Sequence, residues 1–233
     1  QLNPTPHDVQ WARQLGVRHA VWGTPEYPHG YFALEDLVAA REFFAQAGIE
    51  LGVIENMPMH FYDQVMAGLP GRDEQLEKIC LSIRNMGKAG IPVLGYHWRI
   101  LGGISTDSVR GRGGARERRF ELEAALRAPT AALDWRAPGR PIHLPDVELS
   151  RDQVWANLVY FLERDLPVAE EAGVKLAVHP DDAPIPTFLG VARVLGCLDD
   201  FQRLIEAVPS PANGIDFCQG TFSEMAGLDV IEA

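Results

Sequence analysis

The chain has 233 residues and a net charge of −11, with 46% of its residues apolar and 23% charged, a composition that can bury a sizeable core. That acidic balance argues against a general nucleic-acid binder, since phosphate contacts need a positive field, and no stretch is long and apolar enough to cross a bilayer. Three widely spaced cysteines, Cys80, Cys197 and Cys218, form no disulfide framework and fit a reducing compartment, with cytoplasm as the expectation.

In chain order, Asp8 to Leu15 is predicted as a short helix that Gly16 ends. Val17 to Trp22 reads as a first strand, broken by Gly23, Pro25 and Pro28. Leu34, Leu37, Val38, Phe43 and Phe44 recur at helical period, predicting a helix from Leu34 to Ala47. Ile49 to Glu55 is the second strand, ended by Asn56, Met57 and Pro58. A helix from Glu74 to Met86 puts Leu76, Ile79, Cys80 and Ile83 on one face, and Val93 to Tyr96 is the third strand. The long helix from Ser150 to Ala172 opens on a capping-box pattern, Ser150 with Gln153, and Gly173 closes it. Leu176 to His179 is the fourth strand, Leu198 to Ala207 a helix, and Gly214 to Cys218 the fifth strand.

Strands and helices alternate throughout, which predicts an α/β fold on a parallel sheet. No glycine-rich phosphate loop follows the first strand, and ligand-type residues end several strands, so a (β/α)₈ TIM barrel is favoured over an open doubly wound sheet. Five strands do not close such a barrel. The expectation is one barrel domain over residues 1–233 that is incomplete at both ends, lacking a strand before Gln1 and two after Ala233. Residues 98–149 interrupt the rhythm with an insertion far beyond the roughly 2–6 residues of an ordinary βα loop. It holds a basic cluster (Arg110, Arg112, Arg116, Arg118, Arg119) and a proline-rich tail at Ala137 to Pro145. An active-site lid is one reading of it, and a solvated or oligomer-contact insertion is the other.

The chemistry-bearing residues collect at strand ends. His179 and Cys218 end consecutive strands, and an imidazole beside a thiolate suits a borderline cation such as zinc, iron, cobalt or manganese, with softness favouring the first three. Taken singly, each has a plainer reading, as a structural histidine or a small buried hydrophobe. Asp181 and Asp182 are placed to orient His179 through its second ring nitrogen, or to cap the turn beside Pro180 and Pro184. Glu55 and Asn56, and Tyr96 and His97, end two further strands and are expected at the same mouth. Trp22, Tyr27 and His29 are candidates for its wall. From the basic cluster, Arg116 is the candidate for a charge-assisted bond to a carboxylate or phosphate. His19 and His143 are expected to be structural or solvated. The candidate substrate contacts are thus Asn56, Tyr96, His97, Arg116 and Asp181, and no catalytic acid or base is assigned.

Gly52-Val53-Ile54-Glu55-Asn56-Met57-Pro58, Val93-Leu94-Gly95-Tyr96, Leu166-Pro167-Val168-Ala169-Glu170, His179-Pro180-Asp181-Asp182 and Phe217-Cys218-Gln219-Gly220 stand here in the order seen in mannonate dehydratases. The chain resembles that family over most of its length. The resemblance implies a xylose-isomerase-like TIM barrel and a divalent metal held by a His, a Cys, a second His and an Asp. His179 and Cys218 match the first two. Manganese is the metal implied, with iron(II), cobalt(II) and magnesium as alternatives. It also implies a sugar-acid substrate and conversion of D-mannonate to 2-keto-3-deoxy-D-gluconate, and a homo-oligomer is expected. The family's later His-x-Arg-Asn and Asp-His motifs have no counterpart before Ala233, and His97-Trp98-Arg99-Ile100 replaces its Asn-Phe-Met-Pro-Val. The alternatives are a sugar isomerase or epimerase on the same barrel, or a non-catalytic sugar-binding relative.

Overall fold

The computed structural model describes residues 4–23, 27, 29–100, 105–127 and 148–233. Helix α1 (Pro6–Gln14) starts two residues earlier than its apolar pattern suggests, because Thr5 and Asp8 form a reciprocal capping box with Pro6 in the first turn. Strand β1 (His19–Gly23), α2 (Leu34–Ala45) and β2 (Glu50–Glu55) follow as expected. Helix α3 (Asp63–Ala67) is too short to carry a periodic signal, and it precedes α4 (Arg72–Ala89) and β3 (Val93–His97).

The insertion then folds as an antiparallel hairpin of β4 (Asp107–Arg110) and β5 (Arg116–Arg119), followed by α5 (Leu122–Arg127). Helix α6 (Arg151–Ala172) is opened by Ser150, whose hydroxyl accepts from the Gln153 amide, and closed by Gly173 in the left-handed region. Beyond it come β6 (Lys175–His179), the small pair β7 (Thr187–Phe188) and β8 (Val191–Ala192), α7 (Leu198–Ala207), β9 (Asn213–Ile215) and α8 (Gln219–Ser223).

The strand expected over Gly214 to Cys218 is shorter than its apolar run. Pairing with β6 stops near Asp216, where the Cys218 amide turns back to donate to the Asp216 carbonyl at 2.8 Å. Cys218 therefore sits at the start of α8 instead of in the sheet.

Strands β1, β2, β3, β6 and β9 form one parallel sheet in chain order, the sequence of neighbours that repeated βα units produce. Alternation gives the sheet two different faces. Leu51, Ile54, Leu94, Tyr96, Leu176 and Val178 point toward the helices and join one core with Leu76, Ile79, Ile83, Leu158 and Phe161. The opposite face carries Val21, Val53, Val93, Gly95, Ala177 and Ile215, which line a concave hollow of about 350 Å³. The hairpin is held by a satellite cluster, in which Phe120 and Ile185 pack against Ala125 and Phe188. His143 and the proline-rich tail of the insertion lie outside the described residues, as do Pro25 and Pro28.

Candidate active site at the strand ends

The carboxyl ends of β2, β3 and β6 bring Glu55, His97 and His179 to one cleft of about 740 Å³, which Cys218 also lines. Ligands at a parallel α/β sheet collect at this end, where several strands present their last residues together. The histidines face each other in register across β3 and β6, with ring centroids 4.5 Å apart.

The orientation of His179 is fixed by its own turn. Its Nδ1 lies 2.8 Å from the Pro180 carbonyl oxygen, which can only accept, so Nδ1 is the donor and the neutral ring is the tautomer with its lone pair on Nε2. This corrects the expectation that Asp181 or Asp182 holds the ring. Asp181 is 2% exposed and absent from the cleft wall. Its carboxylate accepts from the amides of Val194 at 3.0 Å and Leu195 at 2.8 Å, and faces the Arg193 guanidinium at 3.5 Å. Those partners engage both of its oxygens, and it ties the turn after β6 to the segment before α7. Asp182, the next residue, does line the cleft.

Cys218 is half-buried, and its sulfur accepts from the Thr221 hydroxyl at 3.4 Å. On the other side, Nε2 of His97 is bonded to Oδ1 of Asn56, a residue in the left-handed region at φ 62°. Asn is among the side chains that tolerate that conformation. Asn56 thus supports His97 and is not itself part of the cleft wall. Beneath the pair, the buried Tyr62 hydroxyl donates to the His97 carbonyl at 2.7 Å and accepts from its amide at 3.2 Å. Burial raises the Tyr62 phenol well above its ordinary range.

Tyr96 does not reach the mouth. It precedes His97 on the same strand, so alternation sends it to the helix side, where its ring meets Phe161 at 5.1 Å. Arg116 is also off the cleft, with its guanidinium donating to the Ser108 hydroxyl at 2.8 Å. Trp22 and Tyr27 line a separate groove with Phe43 and Phe44. His19 is exposed beside Glu50.

The insertion does contribute to the cleft, through Glu117, Arg118, Arg119 and Phe120, and Arg99 and Glu224 complete its charged lining. Arg99 and Glu224 carry no motif that marks them in the sequence. Glu224 is raised by burial first and by the Asp182 charge second, while Arg118 pulls it down. Among the described residues, no group of three His, Cys, Asp or Glu side chains stands close enough to hold a cation.

Residues 5–124 and 145–233 match the family model described as D-mannonate dehydratase (UxuA). The mannonate dehydratase of Streptococcus pneumoniae (strain 70585) is 31% identical over 230 residues, covering 93% of this chain and 62% of that protein. The crystal structure of mannonate dehydratase from Streptococcus suis serotype 2 superposes with a TM-score of 0.82 at 30% identity, covering 98% of this chain and 64% of that one. The chain thus spans less than two thirds of the length of these relatives. A xylose isomerase-like TIM barrel protein from Mycobacterium smegmatis matches at TM-score 0.50 and 13% identity, over 93% of this chain and 56% of that one. The α/β sheet described above is therefore of the xylose-isomerase-like TIM-barrel kind.

Proposed function

The chain belongs to the D-mannonate dehydratase family, and from that premise we propose that its protein removes water from a sugar acid of the D-mannonate type, giving a 2-keto-3-deoxy acid. The observation that carries the reading is the meeting of His179 and Cys218 in one cleft at the strand ends. In the net reaction a hydrogen leaves C2, a hydroxyl leaves C3, and the resulting enol rearranges to the ketone.

An imidazole and a thiolate suit a borderline divalent cation, their softness favouring zinc, iron or cobalt, and manganese is the metal that the family resemblance implies. His179 offers an Nε2 lone pair whose tautomer is set by the Pro180 carbonyl, and Cys218 offers a sulfur already accepting from Thr221. Two donors do not complete a coordination shell, so the others are water, substrate or groups outside the described residues. When bound, the cation supplies Lewis-acid stabilisation of the charge that develops beside the carboxylate.

This chain's own residues do the positioning. Asp181 holds the turn after β6 through the Val194 and Leu195 amides, which keeps His179 at the mouth. Asn56 and Tyr62 fix the His97 side chain and backbone respectively, so that its ring stays against His179. A base must take the C2 proton and an acid must protonate the departing hydroxyl.

The test is an assay of the full-length protein with manganese and a panel of aldonates, read as formation of a 2-keto-3-deoxy acid. D-mannonate is expected to give the product. A panel without product, or interconversion of ketose and aldose without loss of water, would overturn the reading.

A further inference from the structure

Beside the Cys218 sulfur stands a buried hydroxyl. Thr221 lines the cleft with Cys218, is 4% exposed, and donates its hydroxyl proton to that sulfur at 3.4 Å. The contact follows from where α8 begins. Cys218 precedes its first turn, and residues three apart there are neighbours on one face. The Cys218 carbonyl closes the turn by accepting from the Phe222 amide at 2.9 Å. Phe222 is buried, stacked on Phe217 at 4.4 Å and tilted against Phe201 at 5.1 Å. The hydroxyl and the sulfur are therefore brought together by the chain's own packing.

A proton donated to a ligating sulfur withdraws charge from it, and hydrogen bonds to sulfur are one of the means by which a protein tunes a bound metal. A sulfur with less charge to give is a weaker and harder donor. An imidazole and a thiolate favour zinc, iron or cobalt by softness, whereas a substrate of carboxylate and hydroxyl oxygens suits a harder cation such as manganese. We propose that Thr221 is a positioning residue for the Cys218 sulfur, and that its hydroxyl moderates the softness of that donor so that manganese competes with zinc for the site. The inference rests on the reading that Cys218 binds the cation, and it adds what sets the choice of cation.

The test uses the full-length protein and two readouts that need no substrate. One is the sulfur-to-cobalt charge-transfer band of the cobalt(II)-loaded protein. The other is the ratio of manganese to zinc dissociation constants, from competition in equilibrium dialysis. Thr221→Val keeps the branched shape and removes the hydroxyl. It is expected to move the band to lower energy, because a sulfur without that proton holds its electrons less tightly. It is also expected to shift the metal ratio toward zinc by about 3- to 10-fold, the range that one ordinary hydrogen bond can move. Thr221→Ala removes the hydroxyl independently of the valine shape and is expected to give the same shifts. Thr221→Ser restores the donor and is expected to stay near wild type in both readouts. Ser223→Ala, which removes an exposed hydroxyl of the same helix that donates to the Gly220 carbonyl at 2.6 Å, is expected to match wild type. Either readout left at its wild-type value in Thr221→Val and Thr221→Ala would overturn the inference, while loss of the band in Cys218→Ser would keep the sulfur as a ligand. Equal shifts in Ser223→Ala would overturn it too, by reducing the effect to a general loosening of α8. A wild-type protein without the band removes the sulfur from the site, and the inference then fails together with the reading beneath it.

Discussion

At His179 a single hydrogen bond, from Nδ1 to the Pro180 carbonyl, decides which ring nitrogen can meet a ligand. Replacing the ring by Ala in the full-length protein is expected to lower bound manganese, measured by metal analysis of the purified protein, by at least about 10-fold, the usual order for losing ligand or support at such a site. Asp165 is a different kind of buried group. It lies in α6 behind the sheet, accepts from the Cys80 thiol at 3.1 Å, and is fully buried. Burial pushes its carboxyl up to about 7, whereas an unfolded aspartate releases its proton near pH 4, or about 3.9. The folded state therefore holds the proton that the unfolded state has lost. Stability is untouched below pH 4 or so, falls by at most about 1.4 kcal/mol per pH unit between 4 and 7, and stays low above. Asp165→Asn keeps an acceptor for Cys80 and removes the titration. Its melting temperature is expected to rise relative to wild type as pH climbs through that window, and a constant difference would contradict the assignment. His179 was legible as a strand end, because a short apolar run that ends on a ligand-type residue marks one, whereas Cys218 reaches the cleft from the turn beyond β9 and not from a strand end. Tyr96 was misplaced although its neighbour His97 was not, and alternation explains both: consecutive strand residues cannot share a face. Asp181 was misplaced because its partners, the Val194 and Leu195 amides, lie across a loop that has no periodicity to read.

Among the elements, α4 and α6 pack closely enough that Gly87 matters. A Cβ built there would run into the Ala172 carbonyl oxygen and lie 3.0 Å from its Cβ. Ala is the better helix former by about 1 kcal/mol, but a backbone carbonyl cannot move aside as a flexible side chain can. Gly87→Ala is expected to destabilise the protein by about 1–3 kcal/mol, read by urea unfolding, and a stabilised variant would show that the helices shift freely. The N-terminus of α6 provides a complementary case. Removing the Ser150 hydroxyl, which accepts from the Gln153 amide at 3.3 Å, is expected to cost about 1 kcal/mol in the same measurement. The main helices and strands were readable from their apolar periodicity, helped in α6 by the Ser150 cap and in α4 and α6 by the closing glycines Gly90 and Gly173. The hairpin was not, since Asp107–Arg110 and Arg116–Arg119 show no apolar alternation. Its order comes from pairing and from the seat of Phe120, and neither leaves a local pattern.

Over the whole molecule, five parallel strands in chain order present one face to the helices and a concave apolar face opposite, where Val21 is 58% exposed. The charged residues gather at the strand ends and along the hairpin, and Glu55, His179 and Cys218 line both the hollow and the cleft. The central claim is that an imidazole nitrogen and a thiolate sulfur share one cation in the cleft. Cobalt(II) substituted into the full-length protein reports this directly, through the sulfur-to-cobalt charge-transfer absorption that only a bound thiolate gives. The band is expected in wild type and in Cys80→Ser and Cys197→Ser, and it is expected to vanish in Cys218→Ser. A wild-type spectrum without the band, or a band that survives in Cys218→Ser, would contradict the account.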